Sequence, residues 1–385
     1  MTQHELIFSP SEPLTLGVEI EVQLLDPETW DLKPASTVLL PLCEPHTDRI
    51  KAELFQSMIE INTGVCNDAH EIRKDLTASL EILGPIAKNL GLRLASSGTH
   101  PFANYNGRLL YPATRYQNLI DRNKWIARRL MIFGLHIHIG MRSGDHAIQM
   151  NNALLHYLPM LLAITASSPY WHAEDTELAS SRITFFEALP TGGHPCRVDS
   201  WDEFETLYMK MIKANAITSP KDIWWDIRPS PGYGTLEIRV CDGLPTLEET
   251  VMVTALVHSL SKFIDQQIVK GRRFAPPPDW IMRENKWRAS RHGVDASLIV
   301  KEDGECQDVS ALLQNLVTDL TPIIESYGYQ KEFEALKTVL REGPSYIRQR
   351  AVGFMVGGNL KKVTEFLADE FDARVPLWKR MNAGA

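Results

Sequence analysis

Five short segments of the chain alternate apolar and polar residues: Val18-Glu19-Ile20-Glu21-Val22, Ile59-Glu60-Ile61-Asn62, Leu135-His136-Ile137-His138-Ile139, Trp225-Asp226-Ile227-Arg228 and Leu236-Glu237-Ile238-Arg239-Val240. On a strand, residues i and i+2 point to the same side. Each segment therefore has one face of Ile, Val or Leu that can pack on helices, and one face of Glu, His, Asp, Asn or Arg. A polar strand face that only meets water ordinarily carries Thr, Lys, Ser and Gln. Five strands of this kind in one sheet would make a highly charged surface, on which like charges raise one another's pKa. A bound cation relieves that repulsion, so the pattern points to a site.

Helical periodicity of about 3.6 residues covers 71–90, 147–166 and, with its Arg and Lys outward, 116–133. The prolines of Gly-Arg-Arg-Phe-Ala-Pro-Pro-Pro-Asp-Trp (271–280) forbid regular structure. Beyond them the periodicity predicts helices over 309–325, 330–341 and 360–369. The organisation expected is one domain over 1–385, with a core of sheet and helices at 14–270 and a helical portion at 281–385. Pro231-Gly232-Tyr233-Gly234 reads as a hairpin turn between the last two alternating segments. A strand at 92–95 leads into the polar turn Ser96-Ser97-Gly98-Thr99-His100-Pro101, where His100 is open between a site residue and a turn residue.

Composition changes this picture little. The 385 residues are 44% hydrophobic and 23% charged with a net charge of −8, which argues against nucleic acid, since that partner calls for a basic stripe. The N-terminus has neither a basic nor an apolar region of a signal peptide. The most apolar stretch, 153–166, is interrupted by His156 and is shorter than the roughly 20 residues that span a bilayer. Five scattered cysteines form no CxxC pair and support neither a zinc ribbon nor a disulfide framework. The expectation is a cytoplasmic protein without a membrane partner.

Glu19, Glu21, Glu60 and Glu237, with histidines nearby, offer hard oxygen ligands suited to Mg²⁺ or Mn²⁺. Glu53 lies seven residues before Glu60. In an unbroken strand that odd spacing puts the two on opposite faces, so Glu53 reads as a surface residue unless the chain bends near Gln56 and Ser57. Arg228 and Arg239 read either as ion-pair partners of Asp226 and Glu237 or, beside a metal, as forks for a phosphate or carboxylate. Arg182, in Ala-Ser-Ser-Arg, reads as part of a loop over the site. No GxxxxGK[ST] loop and no dinucleotide fingerprint occurs, so any nucleotide must be held through metal ions and arginines on the sheet.

Six ordered stretches resemble one family. Gly-Val-Glu-Ile-Glu (17–21) is similar to the N-terminal strand of the glutamate–cysteine ligases. The whole chain from about residue 14 resembles the bacterial carboxylate–amine ligases of the YbdK type, through 53–64, 96–102, 133–140, 167–171, 179–182 and 226–242. The resemblance implies a glutamine-synthetase-like α+β fold: a curved antiparallel β-sheet with the active site on its concave face, helices behind it and a helical C-terminal part. It implies an ATP-dependent carboxylate–amine ligase with glutamate–cysteine ligase activity, forming a γ-glutamyl amide through an acyl phosphate. The implied metal ligands are Glu19, Glu21, Glu53, Glu60, His136 and Glu237, which restores Glu53 to the site. Arg239, with Glu21, takes the catalytic role beside the transferred phosphoryl group, and Arg182, Arg228 and His138 are implied for ATP or substrate. The implied cofactors are ATP and Mg²⁺, or Mn²⁺, and the partners L-glutamate and an amine such as L-cysteine. The apolar helices after Pro278 either cover the core or form the face of a homodimer, which is the assembly expected. Two competing readings are a metal-dependent hydrolase built around His136 and His138, and a non-catalytic metabolite-binding relative.

Overall fold

In the computed structural model, which describes residues 6–378 other than 45 and 47, the alternating segments come together in one antiparallel sheet. Its strands are β1 (Leu16–Leu25), β2 (Ile50–Ala52), β3 (Met58–Asn62), β4 (Arg93–Ala95), β5 (Leu135–Gly140), β6 (Ile227–Ser230) and β7 (Thr235–Ile238). They lie in the order β6-β7-β5-β1-β3-β2, with β4 beside the far end of β1. β1 is long enough to serve two neighbours along one edge: Leu16 to Ile20 pair with β5, and Gln23 to Leu25 with β4.

The apolar faces do what the alternation requires. Val18, Ile20, Val22, Ile61, Ile137, Ile139 and Ile238 are buried in one core with Ile72, Leu76 and Leu83 of helix Ala69–Asn89 and Val251 and Leu256 of helix Leu247–Val269. Both helices are capped as their sequences dictate. Asp68 accepts the Glu71 N–H and Thr246 the Glu249 N–H, each satisfying an otherwise orphaned donor. Helices Val309–Tyr327 and Gln330–Glu342 pack on Leu247–Val269, and Asp279–His292 packs on Leu158–Thr165. Among the described residues no helix is long and apolar enough to cross a membrane.

Three predicted elements differ. The helix over 147–166 is two helices, Gly144–Leu154 and Leu158–Thr165, because Pro159 lacks the N–H that would bond the Leu155 carbonyl and its ring clashes there. The helix over 116–133 is Thr114–Asn123 followed by the short Trp125–Arg128, interrupted where Lys124 turns to φ +50°. The segment around Asp226 splits: Trp224–Trp225 pairs in parallel with Gly192–Gly193, and only Ile227–Ser230 joins the main sheet. The hairpin at 231–234 forms, with Gly234 at φ +64°; a Cβ there would lie 1.9 Å from the Ser9 carbonyl oxygen.

Candidate functional site

Strand register assembles the polar face. Glu19 lies opposite His136, Glu21 opposite Glu60, and His138 opposite Glu237, while Arg228 faces Glu237 from the edge. Cross-strand partners on one face are close neighbours, so five strands bring their acids, histidines and arginine into one band. Glu53 joins them. It follows β2 directly, and β2 pairs with β3 so that Lys51 lies opposite Glu60. Glu53, two residues beyond Lys51, therefore shares that face, because the chain reverses between Glu53 and Met58. The odd spacing misleads only for a strand that does not turn.

Three overlapping groups of side chains place their ligand atoms within 4.8 Å of one another: Glu19, His138 and Glu237; Glu19, Glu60 and His136; and Glu21, Glu53 and Glu60. Every member is one of the predicted residues. The groups fit a divalent cation on a second ground. His136 directs Nδ1–H at Glu19 Oε2, 3.2 Å away, and its buried Nε2 has no hydrogen-bond partner. A ring with one nitrogen bonded to a carboxylate and the other free is arranged as a metal ligand. The Nε2 of His138 faces Glu19 Oε1 at 3.4 Å, while its Nδ1 meets Thr235 Oγ1 at 2.8 Å.

The protonation equilibria carry the same message. Burial, with Glu53 close by, pushes Glu21 up from an ordinary 4.5 to about 8. Burial raises Glu60 well above the usual range, with Glu19 and Glu53 adding to it, and raises Glu53 as well. Glu19 is held low against the push of burial by His136 and His138, and Glu237 is held low against burial by Arg228 and Arg239. Burial, then the Arg239 charge, brings His136 down to about 4, so its imidazole is neutral and its lone pair free. Among the described residues Glu21, Glu53 and Glu60 form no ion pair with a lysine or arginine, whereas Glu237 pairs with two arginines.

Both arginines of the hairpin converge on Glu237. Arg228 Nε and Nη2 reach its two oxygens at 2.8 and 3.3 Å, and Arg239 Nη1 donates to Oε1. The Arg239 guanidinium lies over the rings of Phe186 and Trp224, and its Nε has no partner. Asp226 is not in this band; it pairs with Lys286 at 2.7 and 2.9 Å.

Arg182 requires a correction. It opens helix Arg182–Glu187, is not in a loop over the site, and is 1% exposed. Both its terminal nitrogens lie 3.3 Å from the Arg239 carbonyl oxygen, and Nη1 is 3.9 Å from Asp242. Asp242 in turn accepts from the Ser167 N–H at 2.9 Å, Ser168 Oγ at 2.7 Å and Ser180 Oγ at 2.9 Å. Sequence reasoning passed over this buried carboxylate, although it and all three serines lie within the stretches that carry the family resemblance. Gly134 completes the floor: its N–H donates to Glu21, and a Cβ there would meet Arg182 Nη2 at 2.4 Å.

His100 proves to be a turn residue. Its Nδ1 accepts the Phe102 and Ala103 N–H groups and its Nε2 donates to the Trp30 carbonyl. Among the described residues no further histidine enters the three groups; His156 bonds Ala275 O and His258 bonds Tyr329, so the additional histidines that a hydrolase site calls for are not assembled there. Beside Glu19 and His138 a pocket of about 250 Å³ opens, with Lys51, Asn62, Tyr233 and Thr235 on its walls.

The sequence profile described as glutamate–cysteine ligase family 2 matches residues 15–365. A Bdellovibrio bacteriovorus protein provisionally named glutamate–cysteine ligase 2 is 46% identical over 95% of this chain and 96% of its own length. A Frankia casuarinae protein with the provisional name glutamate–cysteine ligase 2-1 is 41% identical over 97% of this chain and 99% of its own. Among solved structures, the glutamate–cysteine ligase of Francisella tularensis in complex with AMP superposes with a TM-score of 0.68 at 11% identity, covering 98% of this chain and 93% of that one. At that identity the likeness is one of fold.

Proposed function

The chain belongs to glutamate–cysteine ligase family 2, and from that premise we propose how this ATP-dependent carboxylate–amine ligase works: it activates the side-chain carboxylate of L-glutamate as an acyl phosphate and transfers the acyl group to an amine, L-cysteine being the first candidate. The observation that carries this reading is the set of three overlapping ligand groups, joined through Glu19 and Glu60, with Arg239 at their edge.

A carboxylate does not acylate an amine at neutral pH, so its oxygen must first take the γ-phosphoryl group of ATP, releasing ADP; the amine then displaces phosphate. The residues present suit that sequence. Glu19, Glu21, Glu53, Glu60, His136, His138 and Glu237 would hold Mg²⁺ or Mn²⁺, which when bound offsets negative charge on the phosphates and on the carboxylates themselves. Arg239 keeps an unpartnered Nε and is fixed by Glu237, Phe186 and Trp224, so it can neutralise a transferring phosphoryl group without reorganising. Arg228 holds Glu237 from the other side. Arg182, buried under Arg239, sets that backbone and adds positive charge near Glu21. The pocket beside Glu19 and His138 suits the nucleoside, with Tyr233 at its wall as a stacking surface.

Incubation with Mg·ATP, L-glutamate and hydroxylamine tests the proposal. Glutamate-dependent hydroxamate and ADP, both lost in Glu21→Gln, are expected. No hydroxamate and no ADP release across a panel of amino-acid carboxylates would refute it.

A further inference from the structure

Lys51 stands outside the three ligand groups. It sits on β2, at the edge of the sheet, where a lysine commonly serves to keep edges from pairing with other chains. Three observations set this one apart. Its register opposite Glu60 puts it on the face that carries the acids. The residue is exposed, but its ammonium is tethered to that face: Nζ donates to Asn62 Oδ1 at 3.1 Å, and Asn62 Nδ2 donates to Glu60 Oε1 at 2.8 Å. Lys51 is also the one lysine or arginine among the described residues lining the 250 Å³ pocket beside Glu19 and His138.

Its charge is uncommitted. Among the described residues it forms no ion pair, and its single hydrogen bond to an amide leaves two of three N–H donors free. The arginines of the band lie elsewhere: Arg228 and Arg239 hold Glu237, Arg182 is buried, and none of the three lines this pocket. A polyphosphate in this pocket would thus meet one uncommitted lysine beside the ligand groups.

We propose that Lys51 binds the nucleotide's phosphate chain, held for that task by the Asn62 bridge to Glu60. The assignment rests on the nucleotide reading of the pocket and deepens it. An ammonium is a mobile point charge, suited to oxygens whose positions shift as the phosphoryl group leaves. Asn62 ties it to a carboxylate of the ligand groups, so the lysine and that carboxylate are placed by one network.

The test compares wild type, Lys51→Met and Lys51→Arg, measuring calorimetric affinity for Mg²⁺ with a non-hydrolysable ATP analogue and KM for ATP in the hydroxamate assay. Loss of one charge-assisted contact to phosphate should weaken both by roughly tenfold or more in Lys51→Met. KM for glutamate should stay within about twofold, and Lys51→Arg should recover most of the loss. An edge-protecting lysine would instead change solubility and leave both nucleotide parameters alone, and equal affinity in wild type and Lys51→Met overturns the assignment while the nucleotide reading stands. A wild-type protein that binds no analogue overturns both.

Discussion

Replacing Glu21 by glutamine should stabilise the metal-free protein at alkaline pH while abolishing turnover. Glu21, Glu53 and Glu60 sit within ligand distance of one another and burial raises all three. For Glu21 the rise is from 4.5 to about 8. The unfolded chain ionises this carboxyl at its ordinary value while the folded chain holds the proton. Its stability contribution is therefore complete below pH 4.5 and is lost as pH climbs toward 8. At pH 7 the gap of about 2.5 pH units, at 1.36 kcal/mol each, corresponds to about 3 kcal/mol, a sizeable part of a typical folding free energy of ~5–15 kcal/mol. Glutamine is neutral, and its amide oxygen can still accept the Gly134 N–H. Urea unfolding in EDTA at several pH values gives the difference between Glu21→Gln and wild type. That difference should grow in favour of the variant between pH 5 and 8, and His100 and His258, both held near 4 by burial, cancel from it. Mg²⁺ at 100 times its dissociation constant should restore ~2.7 kcal/mol to wild type and much less to the variant. A difference that stays flat with pH, or a variant less stable than wild type at pH 8 in EDTA, would refute the account of the acids as a cation site held without its cation.

Two further outcomes follow from named contacts. Arg239→Lys keeps a charge but loses the planar fork stacked on Phe186 and Trp224; kcat for hydroxamate formation should fall by roughly 10²-fold or more, with the Mg²⁺-induced stabilisation retained. Arg348 is 0% exposed and joins Glu249 at 2.9 Å to Glu370 at 2.8 Å, tying helix Leu247–Val269 to helix Leu360–Ala373. Arg348→Met leaves two carboxylates buried without a counter-charge and should cost about 3–5 kcal/mol in urea unfolding; a loss under 1 kcal/mol would show that network to be dispensable.

Local pattern carried the sequence reading a long way where the physics is local. Alternation in Val18 to Val22 and Leu135 to Ile139 placed Glu19, Glu21, His136 and His138 on one face, because the strand period of two needs no knowledge of the partner. The same logic failed at Glu53, whose face is decided by a chain reversal, and at Asp226, where the strand breaks to pair elsewhere. Lys51 escaped notice because its segment, Ile50 to Ala52, is too short to show a period.

By itself the sequence determined which residue types share a strand face and, through ordered motifs, which family the chain resembles. Only the tertiary structure decided which charges remain free. Arg182 and Arg239 look alike in sequence, yet one is buried beneath the other's carbonyl and one faces the acids. Asp242 became a buried anchor for three serines, and Lys51 an uncommitted cation. Charge commitment depends on distance and burial between residues far apart along the chain, and neither quantity is set until the strands have paired.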